Sequence, residues 1–248
     1  MTAQRGILVT GARRGIGAAI AIGLAEPGAR IVLHHLDARD EVDRVARACR
    51  DAGAQVEIAE ADLGDAGAVV DLANAAGPVD VLVNNAARPS NVAPADLDVG
   101  EWDATFAVNV TAAMLLAREC AVGMRERRWG RIIMLTSATV RMGGPSGPAY
   151  VASKAALVGL TRALARALGP DGITVNALSP GAVLTENERE LYPDGDRQQA
   201  DAEIIARQGL PRRLLADDMV GTARFLASEG SAAVTGQVIE VGGGLVLR

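Results

Sequence analysis

The feature that most restricts the fold of this chain is a repeated change of hydrophobic period. Short β-branched runs at 6–11, 29–35, 54–60, 79–85, 130–137, 172–180 and 236–243 alternate with longer Ala/Leu/Arg segments at 15–26, 39–52, 66–76, 101–127, 149–168 and 217–228. The short runs, such as ARIVLHH and GRIIMLTS, are close to continuously apolar. That is the pattern of parallel strands covered on both faces. The longer segments carry apolar residues at helical spacing. Seven strands alternating with six helices predict an α/β fold: a doubly wound, seven-stranded parallel sheet flanked by helices on both faces. No Pro/Ser-rich linker or fixed-period repeat divides the sequence, so 1–248 reads as a single domain. One stretch breaks the alternation. Residues 184–212 are polar, contain Pro193 and Gly195, and fall between the sixth and seventh strands. A long excursion at that place predicts a lid over a substrate; a solvated insertion with two short helices has the same composition.

Composition narrows the function classes. The chain has 248 residues, 49% hydrophobic, with two each of Trp, Tyr and Phe and a formal charge of −5. So apolar a chain does not stay disordered, and its acidic balance gives no general attraction for nucleic acid or an anionic membrane. Too few aromatics are present for a base-stacking platform. Cys49 and Cys120 make neither a disulfide framework nor a C-x-x-C pair. The adjacent His34 and His35 lack metal-ligand spacing, so no metal is expected. No basic-then-apolar leader and no run of about 18 apolar residues occurs, which leads to the expectation of a cytoplasmic location without membrane partners.

The first strand runs directly into TGARRGIG (Thr10–Gly17) and then into a helix. Glycines at 11, 15 and 17 let the backbone turn sharply, approach a pyrophosphate and pack the helix against the sheet, while the helix N-terminus supplies free N–H groups. The spacing G-x-x-x-G-x-G is neither G-x-G-x-x-G nor a P-loop, and an ordinary tight turn has the same composition. Asp62-Leu63 and Asn84-Asn85-Ala86-Ala87 fall at the C-terminal ends of the third and fourth strands, where open α/β sheets bind ligands. An Asp there accepts from an adenine amine or caps the following helix.

TGARRGIG, NNAA, Ser137, Tyr150-x-x-x-Lys154 and Pro180-Gly181 follow the order and spacing of the short-chain dehydrogenase/reductase family, which the chain resembles over essentially its whole length. The glycine spacing and length resemble the short, single-domain branch with its Rossmann-type fold, and the segments around TSA and YVASKAALVGLTR resemble 3-oxoacyl-carrier-protein reductases and related ketone reductases. The resemblance implies that Gly11, Arg13, Arg14, Gly15, Ile16, Gly17, His35, Asp62, Leu63, Asn85, Ala86, Ala87, Tyr150, Lys154, Pro180, Gly181, Val183 and Thr185 bind a nicotinamide dinucleotide. The acid that would bind the ribose hydroxyls of NAD(H) falls at His35, which is no carboxylate, whereas Arg14 stands where NADP-using members often carry a basic residue. NADP(H) is therefore expected, with Arg13 and Arg39 adding positive field. NAD(H) stays open, because Asp37 is close enough in sequence to reach the ribose.

Tyr150 and Lys154 are one helical turn apart and share a face. A free phenol has a pKa of about 10, and a cation beside it moves that value towards the working range. Ser137, closing the fifth strand, is placed to hold a substrate oxygen. Asn109 sits inside the segment 101–127, where an Asn side chain competes with backbone bonding and distorts a helix. The resemblance assigns these four residues to catalysis: Tyr150 exchanges the hydroxyl proton, Ser137 positions the oxygen, Lys154 lowers the tyrosine pKa and binds the nicotinamide ribose, and Asn109 supports a water relay. It implies a small carbonyl or alcohol as substrate and a homotetramer built on the long helices.

Two departures stand out: Ala87 replaces a usual glycine, and Gly242 replaces a usual aspartate. Arg88, Pro89, Ser90, 139–144 and Tyr192 are candidates for the substrate pocket, with Arg88 and Arg141 suited either to an anionic group or to a solvated surface. The leading expectation is an NAD(P)-dependent oxidoreductase, specifically an NADPH-dependent carbonyl reductase of a 3-oxoacyl or related ketone. The alternatives are an NAD-dependent dehydrogenase of a sugar, polyol or hydroxy acid, and a non-catalytic nucleotide-sensing regulator.

Overall fold

The computed structural model describes residues 5–186, 188 and 194–247; Tyr192 lies outside them. In chain order the strands are β1 (Arg5–Val9), β2 (Ala29–His35), β3 (Gln55–Glu60), β4 (Val81–Asn84), β5 (Gly130–Leu135), β6 (Ile173–Pro180), β7 (Val183–Leu184), β8 (Leu214–Leu215) and β9 (Val238–Val241). The first six and β9 form one sheet in the order β3-β2-β1-β4-β5-β6-β9, with every pairing parallel. This is the expected doubly wound, seven-stranded architecture. The order reverses on either side of β1, so the ends of β1 and β4 diverge into a crevice.

Neighbouring residues in each strand point to opposite faces, and each face has its own helical cover. Ile7, Val9, Ile31, Leu33, Val81 and Val83 pack with Ile20 of α1 (Gly15–Leu24), Val42 and Val45 of α2 (Arg39–Asp51), and Leu226 of α9 (Val220–Leu226). Leu8, Val32, Leu82, Ile132 and Met134 face the other way. They pack with Leu72 of α3 (Ala66–Ala75), Leu116 and Met124 of α5 (Ala112–Arg127), and Leu157 of α7 (Pro148–Leu168). Local chemistry sets the helix starts. Asp65 caps α3 by accepting from Gly67 N (2.7 Å) and Ala68 N (3.3 Å), and Pro148 opens α7 at a position where no N–H is needed.

The segment expected as one helix over 101–127 is three pieces: α4 (Val99–Phe106), a π-helical turn over Ala107–Thr111, and α5. Ala112 N donates to Ala107 O, five residues back, which inserts one extra residue beside Asn109. By length and composition Val99–Arg127 would suffice to cross a bilayer, yet Leu115, Leu116, Ala117, Ala121 and Met124 are buried in the core. It is a core helix of the fold.

The polar excursion is closed at its two ends by the pairing of β7 with β8, which the hydrophobic pattern did not announce, and α8 spans Asp194–Arg207 within it. Arg213, beside β8, is almost fully buried and pairs with Glu188 (2.7 Å) and with Asp201, so two parts of the excursion share one cation.

Gly17 shows how tightly the first turn is held. A Cβ there would overlap Gly11 O and the Asn85 side-chain nitrogen. Gly17→Ala is expected to cost about 2 kcal/mol of stability through this overpacking, read as a lower urea midpoint. An unchanged midpoint would show that the turn has slack.

Candidate active site

The first strand delivers its last residue into a set of cross-strand ties. Thr10 N donates to Val83 O (3.0 Å), while the Thr10 hydroxyl accepts from Asn85 N and Ala86 N (both 3.0 Å). The Asn85 side chain donates to Thr10 O (2.9 Å) and Gly11 O (3.1 Å). Asn85, expected to contact the cofactor, thus holds the glycine turn to β4. Gly11 and Gly15 adopt positive φ (64° and 59°), the region that costs a side-chain-bearing residue strain.

A crevice of about 620 Å³ opens at these strand ends. Of the residues expected to bind the cofactor, Gly11, Arg13, Arg14, Gly15, Ile16, Gly17, His35, Asp62, Leu63, Asn85, Ala86, Ala87, Tyr150 and Thr185 line it. Lys154, Pro180, Gly181 and Val183 are not part of the lining. Pro180 O accepts from Ala138 N (2.9 Å), Gly181 N donates to Val241 O (3.1 Å), and Val183 is buried. These three shape the segment that presents Thr185. Sequence reasoning gave no role to His34, Leu36, Ala61 or Val108, yet all four line the crevice, as does Glu186 from the excursion expected as a lid. Ala61 and His34 adjoin residues that were selected. Val108 is brought in by the π turn around Asn109, where a distortion but not its form was expected.

The crevice suits a dinucleotide. α1 begins at Gly15 with Arg14 extended (φ −158°) and no side-chain cap on its N-terminus, and no acidic residue lies in its first turn. Its first N–H groups have no partner within the helix and are suited to an anionic acceptor. Buried His35 Nε2 has no partner among the described residues, while its Nδ1 accepts from Ala38 N (3.3 Å). Asp62 closes a local turn on Gly64 N (2.8 Å) and leaves helix capping to Asp65. The charges differ in part from expectation. Arg13 pairs with Glu41 (3.3 Å), and Arg39 pairs with Asp43 along α2 (3.3 Å) and does not line the crevice. Asp37 does line it, at a positive φ of 47°.

The two departures have local explanations. Ala87 is not among the residues with positive φ, so its methyl carries no backbone strain. At Gly242 the neighbours of an added Cβ lie at 3.7 Å or beyond, an ordinary contact.

At the chemical end, Tyr150 lies in the first turn of α7 and Lys154 one turn on, its ammonium 5.6 Å from the phenol ring centroid. Burial raises the Tyr150 pKa, and the Ser137 hydroxyl opposes this by hydrogen bonding. The expected lowering by Lys154 is not what the protein alone delivers. The ammonium points at Leu135 O (2.8 Å), and burial pushes Lys154 itself down to about 8. Burial thus favours the uncharged form of both groups.

Ser137 Oγ also accepts from Thr139 N (3.2 Å) and Thr139 Oγ1 (2.9 Å). Asn109 is buried in the π turn, where distortion was expected. Its Oδ1 accepts from Arg88 N (2.7 Å), and its amide donates to Arg88 O (3.1 Å) and Ser153 Oγ (2.9 Å). It ties the loop after β4 to α7. The two candidate substrate arginines are engaged: Arg88 pairs with Glu101 (2.8 Å), and Arg141 lies 3.8 Å from Glu240.

A glycine turn at a switch point, opening through one crevice onto a buried tyrosine with serine and lysine neighbours, belongs to the class of dinucleotide-dependent oxidoreductases. The family profile described as enoyl-(acyl carrier protein) reductase matches residues 11–246, and the chain belongs to the short-chain dehydrogenase/reductase family. It is therefore an NAD(P)-dependent oxidoreductase. An NADPH-dependent aldehyde reductase-like protein of Arabidopsis thaliana is 37% identical, covering 98% of this chain and 95% of that protein. Among solved structures, a protein designated NAD(P)-dependent gluconate 5-dehydrogenase from Beutenbergia cavernae, with NADP at low occupancy, is 41% identical with a TM-score of 0.89, over 98% and 97% of the two chains. A 3-oxoacyl-(acyl-carrier-protein) reductase from Agrobacterium tumefaciens with NADP bound is 33% identical with a TM-score of 0.90, over 97% and 95%.

The buried lysine has a consequence for stability. Its folded value of about 8 lies below the 10.5 of a free lysine, so between them the unfolded chain binds more protons and stability rises with pH. Below pH 8 the buried charge costs about 3 kcal/mol. Cys49 and Cys120, raised by burial to about 11 and about 12, act in the opposite sense at alkaline pH, so a control is needed. Between pH 7.5 and 10, wild type should gain urea stability relative to Lys154→Met. A pH-independent difference between the two would contradict a buried, titrating ammonium.

Proposed function

We propose that this protein is an NADP(H)-dependent carbonyl reductase that reduces a 3-oxoacyl or related ketone substrate. The observation that carries the reading is the placement of Tyr150: it lines the same crevice as the glycine turn and is held in its protonated form by burial. A protonated phenol is the form that reduction of a carbonyl requires. In this reading Ser137 holds the substrate oxygen, and Tyr150 gives it a proton. Lys154, whose pKa of about 8 lies near the working range, holds a mobile proton one turn away. Asn109 positions α7 through Ser153. A bound nicotinamide supplies the hydride. The glycine turn and the uncapped start of α1 would hold the pyrophosphate, Asp62 and Leu63 the adenine side, and Ala86, Ala87 and Thr185 the nicotinamide side. Pro180, Gly181 and Val183 would support Thr185 from behind.

The preference for NADP(H) is supported by Arg13 and Arg14 in the crevice, by His35 where a carboxylate would select NAD(H), and by the NADP-bound relatives. Residues 1–248 act as one domain in this reading, and the 184–212 excursion covers the substrate, supported by Thr185 and Glu186 in the lining. The same reading includes a cytoplasmic homotetramer. Exposed Val99, Trp102 and Val122 on the α4–α5 segment support such an assembly.

Two observations favour a second reading, oxidation of a sugar or hydroxy acid with NAD(H): Asp37 lines the crevice, which bears on the cofactor, and the 41% identical neighbour is designated a gluconate dehydrogenase, which bears on the substrate. A nucleotide sensor without catalysis has no such support, because Ser137, Tyr150, Lys154 and Asn109 are all retained.

Following reduced-nicotinamide absorbance over β-keto esters, ketones, aldehydes, sugars and polyols separates these readings. β-Keto esters with NADPH should react fastest, and turnover of sugars with NAD⁺ alone would replace the first reading by the second. Tyr150→Phe should cut turnover about 10²–10⁴-fold while NADPH still binds. Undiminished turnover would exclude Tyr150 as the proton donor.

A further inference from the structure

We propose that His34 is a positioning residue, fixing the glycine turn against the end of β3 so that the crevice is set for its dinucleotide. The proposal rests on the dinucleotide reading of that crevice. His34 ends in a pair of opposed contacts: Nδ1 accepts from Gly11 N at 3.1 Å, and Nε2 lies 3.0 Å from Ala61 O. A carbonyl only accepts and a backbone N–H only donates. The two partners therefore require one tautomer, with hydrogen on Nε2 and a bare Nδ1. Burial, which depresses the His34 pKa, favours the same neutral ring. The main chain adds a third tie, Ala12 N to His34 O at 2.9 Å.

The turn needs an external restraint at this point. Gly11 sits at φ +64°, and a Cβ there would lie 2.9 Å from Ala86 Cα, so no stiffer residue fits. A glycine has the widest backbone freedom of any residue. His34 removes that freedom by engaging the N–H groups of Gly11 and Ala12 together. Gly11, His34 and Ala61 all line the crevice, so the ring spans from its phosphate wall to the wall that continues into Asp62 and Leu63. It has no hydrogen bond with Ser137, Tyr150 or Lys154 among the described residues. His34 should therefore influence how tightly the dinucleotide binds and leave the chemical step alone.

Two substitutions separate the contacts. In His34→Asn the side-chain oxygen stands near the place of Nδ1 and keeps an acceptor for Gly11 N. In His34→Gln the amide reaches the place of Nε2 and leaves Gly11 N without its acceptor. NADPH titration followed by its own fluorescence should show Gln weakening binding about tenfold, the scale of one lost buried hydrogen bond. Asn should stay within about threefold of wild type on the same scale, and kcat at saturating NADPH should be unchanged in both. Wild-type affinity in the Gln variant, or equal weakening in both, would overturn the proposal.

The imidazole ¹⁵N signals of the wild-type protein give a readout that needs no variant and so survives any folding failure. A protonated Nε2 with a bare Nδ1 at neutral pH is expected for His34, and the opposite tautomer or a doubly protonated ring would overturn the tie. Failure of wild type to bind NADPH or NADH would remove the dinucleotide reading itself, a result distinguishable from loss in the variants alone.

Discussion

The ends of β1 and β4 are tied together before either reaches solvent, and the crevice depends on that tie. One buried hydroxyl, Thr10 Oγ1, accepts from two successive N–H groups of the β4 exit, and one amide, Asn85 Nδ2, donates to two successive carbonyls of the β1 exit. Parallel strands cannot continue their ladder past their ends, so the polar groups there must be satisfied by side chains or by a ligand. Here the side chains satisfy the inner groups and leave the N-terminus of α1 for the ligand. Arg14 gives this helix start no side-chain cap, which suits it to the dinucleotide proposed for the crevice. A helix start without a cap forgoes about 1 kcal/mol, and an anion seated there recovers it.

The chemical end follows from burial more than from pairing. Tyr150 and Lys154 share a helix face, yet desolvation dominates both groups, raising the phenol and lowering the ammonium to about 8. Below about pH 8 the phenol keeps its proton and Lys154 still carries its charge, at a cost set by burial. Asn109 is fully engaged with Arg88 and Ser153 from within the π turn, tying the loop after β4 to α7.

Much of this was legible in the residues. The seven apolar runs marked the strands because strands covered on both faces have no polar phase to disguise them, and the glycines at 11, 15 and 17 marked the turn because only glycine meets its geometry. Asn109 was suspect as a poor helix former inside a long helix, and the structure places a π turn there. Arg39, expected to add positive field, does not line the crevice. Its i,i+4 partner Asp43 holds it along α2, and sequence proximity to the strand end carries no direction. The pairing of β7 with β8 and the burial of Arg213 between Glu188 and Asp201 were invisible. Short strands and ion pairs across a polar stretch leave no hydrophobic period.

The amino-acid sequence by itself determined the alternation of strand and helix, the parallel sheet, the place of the glycine turn and the spacing of Tyr150 and Lys154 by one helical turn. All of these follow from local properties: side-chain period, backbone freedom and spacing within one helical turn. Only the tertiary structure decided what those groups experience. It turned the lysine towards Leu135, buried the phenol, tied the Asn85 amide to the turn, and set His34 between Gly11 and Ala61. Dielectric surroundings and hydrogen-bond partners are properties of residues far apart in the chain, and they come into being only when the sheet brings those residues together.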